Sequence, residues 1–172
     1  MKPRRIVLLV CHANTCRSVI AAELLKAKLR ETGLDRAWEV LSGGIAPYAR
    51  DGALVSLDAR LVLREEGIEL PKDAVSTDLK RHRDYIERAD LILAMTTAQL
   101  QMLHTHFPES HGKPAFTWKA FAGLEGDIED PFDRGADAYH QCRDEIKACL
   151  EGVLRGLSNG MLKRTAAVCS PD

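Results

Sequence analysis

The most informative part of the sequence is the stretch Ile6-Val7-Leu8-Leu9-Val10-Cys11-His12-Ala13-Asn14-Thr15-Cys16-Arg17-Ser18. Its first five residues form an unbroken apolar run, which is typical of a strand buried on both faces of a parallel sheet. An apolar-periodic segment, residues 19–29, follows and predicts a helix that begins near Ser18. The stretch therefore indicates a buried strand, a tight loop and a helix.

The loop carries residues suited to phosphoryl transfer. Cys11 follows the predicted strand, where loop amides and the positive end of the next helix favour a thiolate. Arg17 can hold two oxygens of a phosphate-like dianion at once, and Ser18 adds a hydroxyl. We therefore predict that Cys11 and Arg17 are catalytic. The predicted phosphate-binding residues are His12, Ala13, Asn14, Thr15, Cys16, Arg17 and Ser18.

The spacing Cys-x5-Arg is weak on its own, because Cys149 and Arg155 repeat it. No apolar strand precedes that second copy, and its intervening residues have the pattern of an amphipathic helix. The alternative for Cys11 is a buried structural thiol at the end of a strand. The context of Asn14, Arg17 and Ser18 favours the catalytic interpretation.

At these residues the sequence resembles the low-molecular-weight cysteine phosphatases, whose loop has the form Cys-x-Gly-Asn-x-Cys-Arg-Ser. Ser42-Gly43-Gly44 is similar to that family's Ser-Ala-Gly, residues 89–96 resemble its central strand, and Asp130-Pro131-Phe132 resembles its general-acid loop. The resemblance leans toward the bacterial protein-arginine phosphatases, which carry Thr at the position of Thr15. Tyrosine-directed members usually carry Ile there. Thr15 and Phe132 are therefore the expected substrate-selectivity residues.

The resemblance implies that Asp130 is the catalytic general acid. From the residues alone, Asp130 fits equally well as a turn or helix N-cap residue before Pro131. Asp127 and Asp133 are neighbouring alternatives for the acid. Phe132 is expected either to wall the substrate site or to anchor the acid loop.

The loop departs from the family pattern at Ala13, which stands in place of Gly. Glycine readily adopts a positive φ, whereas Ala does so only with strain, so Ala13 is expected to disturb the loop. Asn14 is expected to support the loop through side-chain hydrogen bonds, and it tolerates a left-handed backbone.

Composition narrows the class of protein. The 172 residues, 45% of them hydrophobic, predict one domain over residues 1–172, with residues 156–172 a helix end and a tail of uncertain order. A net charge of −1 gives no indication of nucleic-acid or membrane binding. The first apolar run is too short for a signal peptide or membrane span, so a cytoplasmic protein is expected. Five cysteines, an odd number, favour reduced thiols.

Strand and helix patterns alternate along the chain. This order predicts a doubly wound α/β three-layer sandwich with a central, mostly parallel four-stranded sheet and the phosphate-binding loop after strand 1. Strands are expected at residues 6–10, 38–41, 91–95 and 113–117. Helices are expected at residues 18–32, 54–66, 78–88, 97–104 and 137–153, the last of them capped by Asp137.

These features together predict a protein phosphatase that works through a cysteinyl-phosphate intermediate and needs no metal or cofactor. Its partners would be phosphorylated protein substrates, with phosphoarginine favoured over phosphotyrosine, and inorganic phosphate is the product. Cys16 is the expected redox partner of Cys11, because a neighbouring thiol can trap an oxidised nucleophile as a disulfide.

The main alternative is a protein-tyrosine phosphatase proper. A thioredoxin-coupled arsenate reductase would use the same loop, but it needs two further relay cysteines, and none lies between Cys16 and Cys142. A non-catalytic phosphoprotein binder would need neither Cys11 nor Asp130.

Overall fold

Four parallel strands form the central sheet of the computed structural model, which describes residues 2–159. The strands are β1 (Arg5–Cys11), β2 (Trp38–Gly44), β3 (Leu91–Ala94) and β4 (Ala115–Thr117), in the order β2-β1-β3-β4. Each neighbouring pair in that order runs parallel. The predicted doubly wound α/β class is confirmed, and the described sheet is parallel throughout.

The apolar run of β1 is buried on both faces of this sheet. Val7, Leu9 and Cys11 belong to a core cluster on one side, whereas Leu8 and Val10 belong to a second cluster on the other. Because side chains alternate along a strand, an unbroken apolar run is what two covered faces require. The sheet is therefore the middle layer between two sets of helices.

Seven α-helices cover the sheet within residues 2–159. They are α1 (Arg17–Thr32), α2 (Leu57–Glu65), α3 (Arg83–Arg88), α4 (Thr97–His106), α5 (Trp118–Phe121), α6 (Ala136–Ala148) and α7 (Leu150–Ser158). The first helix ends at Gly33, whose φ of 73° suits a left-handed cap. None of these helices has the length and apolar composition needed to cross a membrane.

The predicted second and third helices begin too early. Helix α2 starts at Leu57 rather than residue 54, because the Ser56 side chain accepts a hydrogen bond from the Ala59 N–H and caps it. Helix α3 starts only at Arg83. Asp78 instead forms an isolated parallel β-bridge with Gly44, and its buried side chain contacts Lys80.

The C-terminal prediction was wrong in three respects. The expected single helix is divided at Cys149 into α6 and α7, and Gly135 rather than Asp137 is the N-cap of α6. Gly156, expected to end the helix, lies inside α7. A Cβ at this position would stand 2.6 Å from ring carbons of Phe121, so close packing requires the glycine. The remainder of the predicted tail, residues 160–172, lies outside the described residues.

Candidate active site

Cys11 is the last residue of β1, and the loop that follows it leads directly into α1 at Arg17. The neighbouring strands also end at this edge, so the loop lies at the carboxyl end of the sheet, where doubly wound folds bind ligands. The Cys11 side chain is buried in the floor of a cleft. The sequence therefore placed the loop correctly.

Two hydrogen bonds reach the Cys11 sulfur. The Asn14 N–H donates to Sγ at 3.2 Å, and the Ser18 Oγ lies 2.9 Å from Sγ. Ser18 Oγ also accepts a hydrogen bond from Asn14 Nδ2 at 2.8 Å, which leaves its hydroxyl proton available for the sulfur. Both contacts stabilise negative charge on sulfur, as a nucleophile and leaving group needs.

Asn14 holds the loop in shape. Its φ is 58°, and its buried side chain accepts from the Thr77 N–H at 2.9 Å and donates to Ser42 Oγ at 3.0 Å. Within the described loop, the left-handed residue is Asn14 and not Ala13. The expectation of strain at Ala13 was therefore wrong, because Asn, which tolerates this conformation, occupies the position that needs it.

Backbone hydrogen bonds from the residues that follow β2 support the loop. The Ile45 N–H donates to the Cys11 carbonyl and the Ala46 N–H to the His12 carbonyl, each at 3.0 Å. A Cβ at Gly44 would lie 2.8 Å from the His12 carbonyl oxygen. Glycine at this position is thus a requirement of close backbone packing.

Arg17 is buried although it is charged. One guanidinium nitrogen, Nη1, donates to the Ile128 carbonyl at 3.0 Å, while Nη2 lies 3.3 Å from His12 Nδ1 and 3.4 Å from Asp130 Oδ2. The guanidinium group therefore joins the loop to the segment that carries Asp130. Arg17 and Cys11 line the same cleft, and a planar guanidinium beside a thiol is suited to hold a phosphate-like dianion.

The Asp130 carboxylate has two partners. One oxygen faces Arg17, and the other accepts from the Phe132 N–H at 3.1 Å, so the residue forms the expected turn and also reaches the site. Its side chain is half exposed. Asp127 is turned away, because its carboxylate accepts from the N–H and hydroxyl of Thr97 at the start of α4.

The cleft above the loop has a volume of about 860 Å³. Thr15 and Phe132 both line it, as predicted for selectivity residues. Phe132 is 75% exposed, so it does not anchor the acid loop in the core. No sequence pattern indicated the remaining residues of the cleft wall, since they come from loops and helices far along the chain. These residues include Tyr48, Arg50, Asp58 and Tyr139.

Cys16 lines the cleft and also belongs to the core cluster that contains Cys142 of α6. The neighbouring Cys142 side chain, together with burial, raises the pKa of the Cys16 thiol. Cys142 is itself buried. The sequence did not indicate this contact, because the two cysteines lie 126 residues apart (142 − 16) and belong to different elements.

Comparison with known proteins agrees with this geometry. A family model described as low molecular weight phosphotyrosine protein phosphatase matches residues 6–164. A protein-arginine-phosphatase of Geobacillus stearothermophilus is 39% identical over 152 residues, which cover 88% of this chain and 95% of the relative. The low molecular weight protein-tyrosine-phosphatase PtpB of Staphylococcus haemolyticus is 31% identical, with coverage of 80% and 88%.

A solved structure is also similar. The YwlE arginine phosphatase from Geobacillus stearothermophilus superposes with a TM-score of 0.77 at 36% identity, covering 92% of this chain and 96% of that one.

Proposed function

Since the chain belongs to the low molecular weight phosphotyrosine protein phosphatase family and is a phosphatase with a cysteine nucleophile, we propose that Cys11 is that nucleophile and that phosphoarginine is the preferred substrate. The observation that carries the assignment is the Cys11 sulfur with its two hydrogen bonds, beside the buried guanidinium of Arg17. Phosphorylated protein side chains are the substrate class.

In the first step the Cys11 sulfur attacks phosphorus, and the bond from phosphorus to the arginine nitrogen or tyrosine oxygen breaks. Arg17 and the loop amides hold the equatorial oxygens as charge shifts. Asp130, which lines the same cleft, gives its proton to the leaving group.

In the second step the Asp130 carboxylate takes a proton from water, whose oxygen attacks phosphorus. The sulfur leaves as a thiolate, which accepts a hydrogen bond from the Ser18 hydroxyl, and inorganic phosphate is released. This step completes the cycle without a metal or cofactor.

An arsenate-reductase relay is less well supported. Such a relay passes a disulfide outward to an exposed position, where an external reductant can reach it. Cys142 of α6 is near Cys16, but it is only 4% exposed. The relatives of known activity named above are phosphatases.

The preference for phosphoarginine rests on Thr15, whose side chain lines the cleft. Its hydroxyl can hydrogen-bond a guanidinium group, whereas Ile offers only an apolar surface. We expect Thr15→Ile to lower kcat/KM for phosphoarginine peptides by about ten- to a hundredfold, the result of leaving a polar group unpaired. Activity on phosphotyrosine peptides should be equal or higher. Assays on matched peptides that bear each phosphoresidue test this.

The control is Thr15→Ser, which keeps the hydroxyl and should retain the preference. The Thr15 carbonyl accepts a hydrogen bond from the Ser56 N–H at 3.0 Å, so the backbone is held independently of the side chain. If Thr15→Ile changes kcat/KM equally for both substrates, or if the wild type does not hydrolyse phosphoarginine, the tyrosine-phosphatase alternative replaces the arginine assignment.

We also propose that Cys16 protects Cys11 from oxidation. Peroxide would convert the Cys11 thiolate to a sulfenic acid, and the Cys16 sulfur would displace water to form a disulfide. Wild-type enzyme should then regain activity with a dithiol, whereas Cys16→Ser should be inactivated irreversibly. Recovery of activity after graded peroxide exposure measures the difference.

The matched control for this experiment is Cys142→Ser, which removes the neighbour of Cys16 and keeps the proposed disulfide pair. It should recover as the wild type does. Loss of recovery in Cys142→Ser, or full recovery in Cys16→Ser, would contradict the protective role of Cys16.

A further inference from the structure

The side-chain amide of Gln99 has an orientation that its backbone neighbours determine. Gln99 lies in α4 and is fully buried. Its Oε1 accepts hydrogen bonds from the N–H groups of Met95 at 3.1 Å and Thr96 at 3.2 Å. Since backbone N–H groups only donate, the amide oxygen must face them. The amide Nε2 is therefore turned toward the loop, where it lies 3.3 Å from His12 Nδ1.

His12 Nδ1 thus receives a donor from Gln99 and a second from Arg17, whose Nη2 also lies at 3.3 Å. A guanidinium group cannot accept a hydrogen bond and stays protonated. Two donors converging on Nδ1 require a lone pair there. The His12 ring is therefore neutral, with its proton on Nε2.

We propose that neutral His12, oriented by Gln99, is a positioning residue that holds the Arg17 guanidinium ready for the phosphoryl group. The inference rests on the proposed function in that Arg17 is taken as the phosphate clamp. His12 Nδ1 accepts from Nη2 while the Ile128 carbonyl accepts from Nη1, so acceptors on two different segments fix both ends of the guanidinium group. Protonation of His12 would remove one acceptor and place a second cation beside Arg17.

The surroundings of His12 keep it neutral near pH 7. Burial and the charge of Arg17 lower its pKa below the ordinary value, and the Asp130 carboxylate opposes them in part. The Tyr48 ring stands 6.4 Å away, and Gln99 carries no charge. A histidine with a lowered pKa stays neutral until the pH falls below about 6.5. The hold on Arg17 should therefore persist at neutral pH and weaken in acid.

Two variants separate the acceptor from the rest of the ring. His12→Leu removes the acceptor and should lower kcat/KM for a phosphorylated peptide, and the affinity for vanadate, about tenfold, as expected for the loss of a hydrogen bond to a charged group. His12→Asn places Oδ1 where Nδ1 stood, so it should restore both quantities to within about threefold of the wild type. Asn does not titrate.

The pH dependence of kcat/KM distinguishes this positioning role from a purely structural one. At each pH, the wild-type kcat/KM is divided by that of His12→Asn. This ratio cancels the effect of every ionisable group that the two enzymes share. The ratio should be constant at neutral pH and fall below about pH 6.5. Nitrogen NMR of the wild type should show the His12 ring with its proton on Nε2 at pH 7.

Three results would each overturn the proposal. The first is a His12 ring protonated on Nδ1 at pH 7, and the second is a ratio of wild-type to His12→Asn kcat/KM that does not vary with pH. The third is a His12→Asn enzyme as impaired as His12→Leu. The vanadate and NMR measurements need no turnover. If the wild type hydrolysed neither phosphoresidue, the proposed function would fail, while these two measurements would still decide the role of His12.

Discussion

Replacing Cys11 with serine should abolish turnover while vanadate still binds. The Cys11→Ser enzyme keeps Arg17, Ser18 and the loop amides, so the anion-binding groups are intact. A serine hydroxyl is a far weaker nucleophile than a thiolate, and the loss of kcat should be at least about a thousandfold. Steady-state hydrolysis of an aryl phosphate, with vanadate affinity measured separately by calorimetry, tests both halves of the expectation.

The chain supplies its own control for this substitution. Cys149 begins the second Cys-x5-Arg sequence, but its thiol is buried at the junction of α6 and α7, where it donates to the Glu145 carbonyl. Cys149→Ser should leave activity close to that of the wild type. Full activity in Cys11→Ser, or its loss of vanadate binding with an unchanged melting temperature, would contradict the assigned role.

The sheet was predictable because burial on both faces leaves a pattern that needs no tertiary information. The runs at residues 6–10 and 91–95 both proved to be central strands, β1 and β3. Helix ends were less predictable, since they depend on which side chain happens to cap them. Ser56 caps α2 through one hydrogen bond, and the apolar pattern alone could not show where that helix begins.

At the site, the sequence identified residues that contact one another within a single loop. It missed residues that distant elements place against that loop. Cys11, Asn14 and Ser18 lie within one loop, so their mutual contacts follow from its shape. Gln99 reaches His12 across 87 residues. Gln99 forms a capping box with Thr96 at the start of α4, and its contact with His12 depends on how α4 is placed against the loop.

The segment before Asp130 is anchored in the way that the proposed role of Asp130 in two chemical steps requires. The Ile128 N–H donates to the Met95 carbonyl at the end of β3, and the Ile128 carbonyl accepts from Arg17. These bonds hold the segment before Asp130 on both sides. The carboxylate itself is half exposed, so it can meet a leaving group and then water.

Asp130→Asn should therefore show a loss that depends on the leaving group. The amide keeps an oxygen for the Phe132 N–H, so the turn survives, but it cannot give up a proton. We expect kcat/KM for phenyl phosphate to fall by about a hundred- to ten-thousandfold. A nitrophenyl ester, whose leaving group hardly needs a proton, should lose less than about tenfold. Because kcat/KM reports the steps through phosphoryl transfer, slower hydrolysis of the intermediate does not enter the comparison.

The matched control is Asp133→Asn, a change in the same exposed loop at a residue whose φ of 59° asparagine also tolerates. It should affect the two esters alike and only slightly. If Asp130→Asn lost activity equally on both esters, Asp130 would have only a structural role, in the turn that its hydrogen bond with the Phe132 N–H stabilises. A loss confined to phenyl phosphate has no such structural explanation, since a misplaced loop cannot distinguish one leaving-group pKa from another.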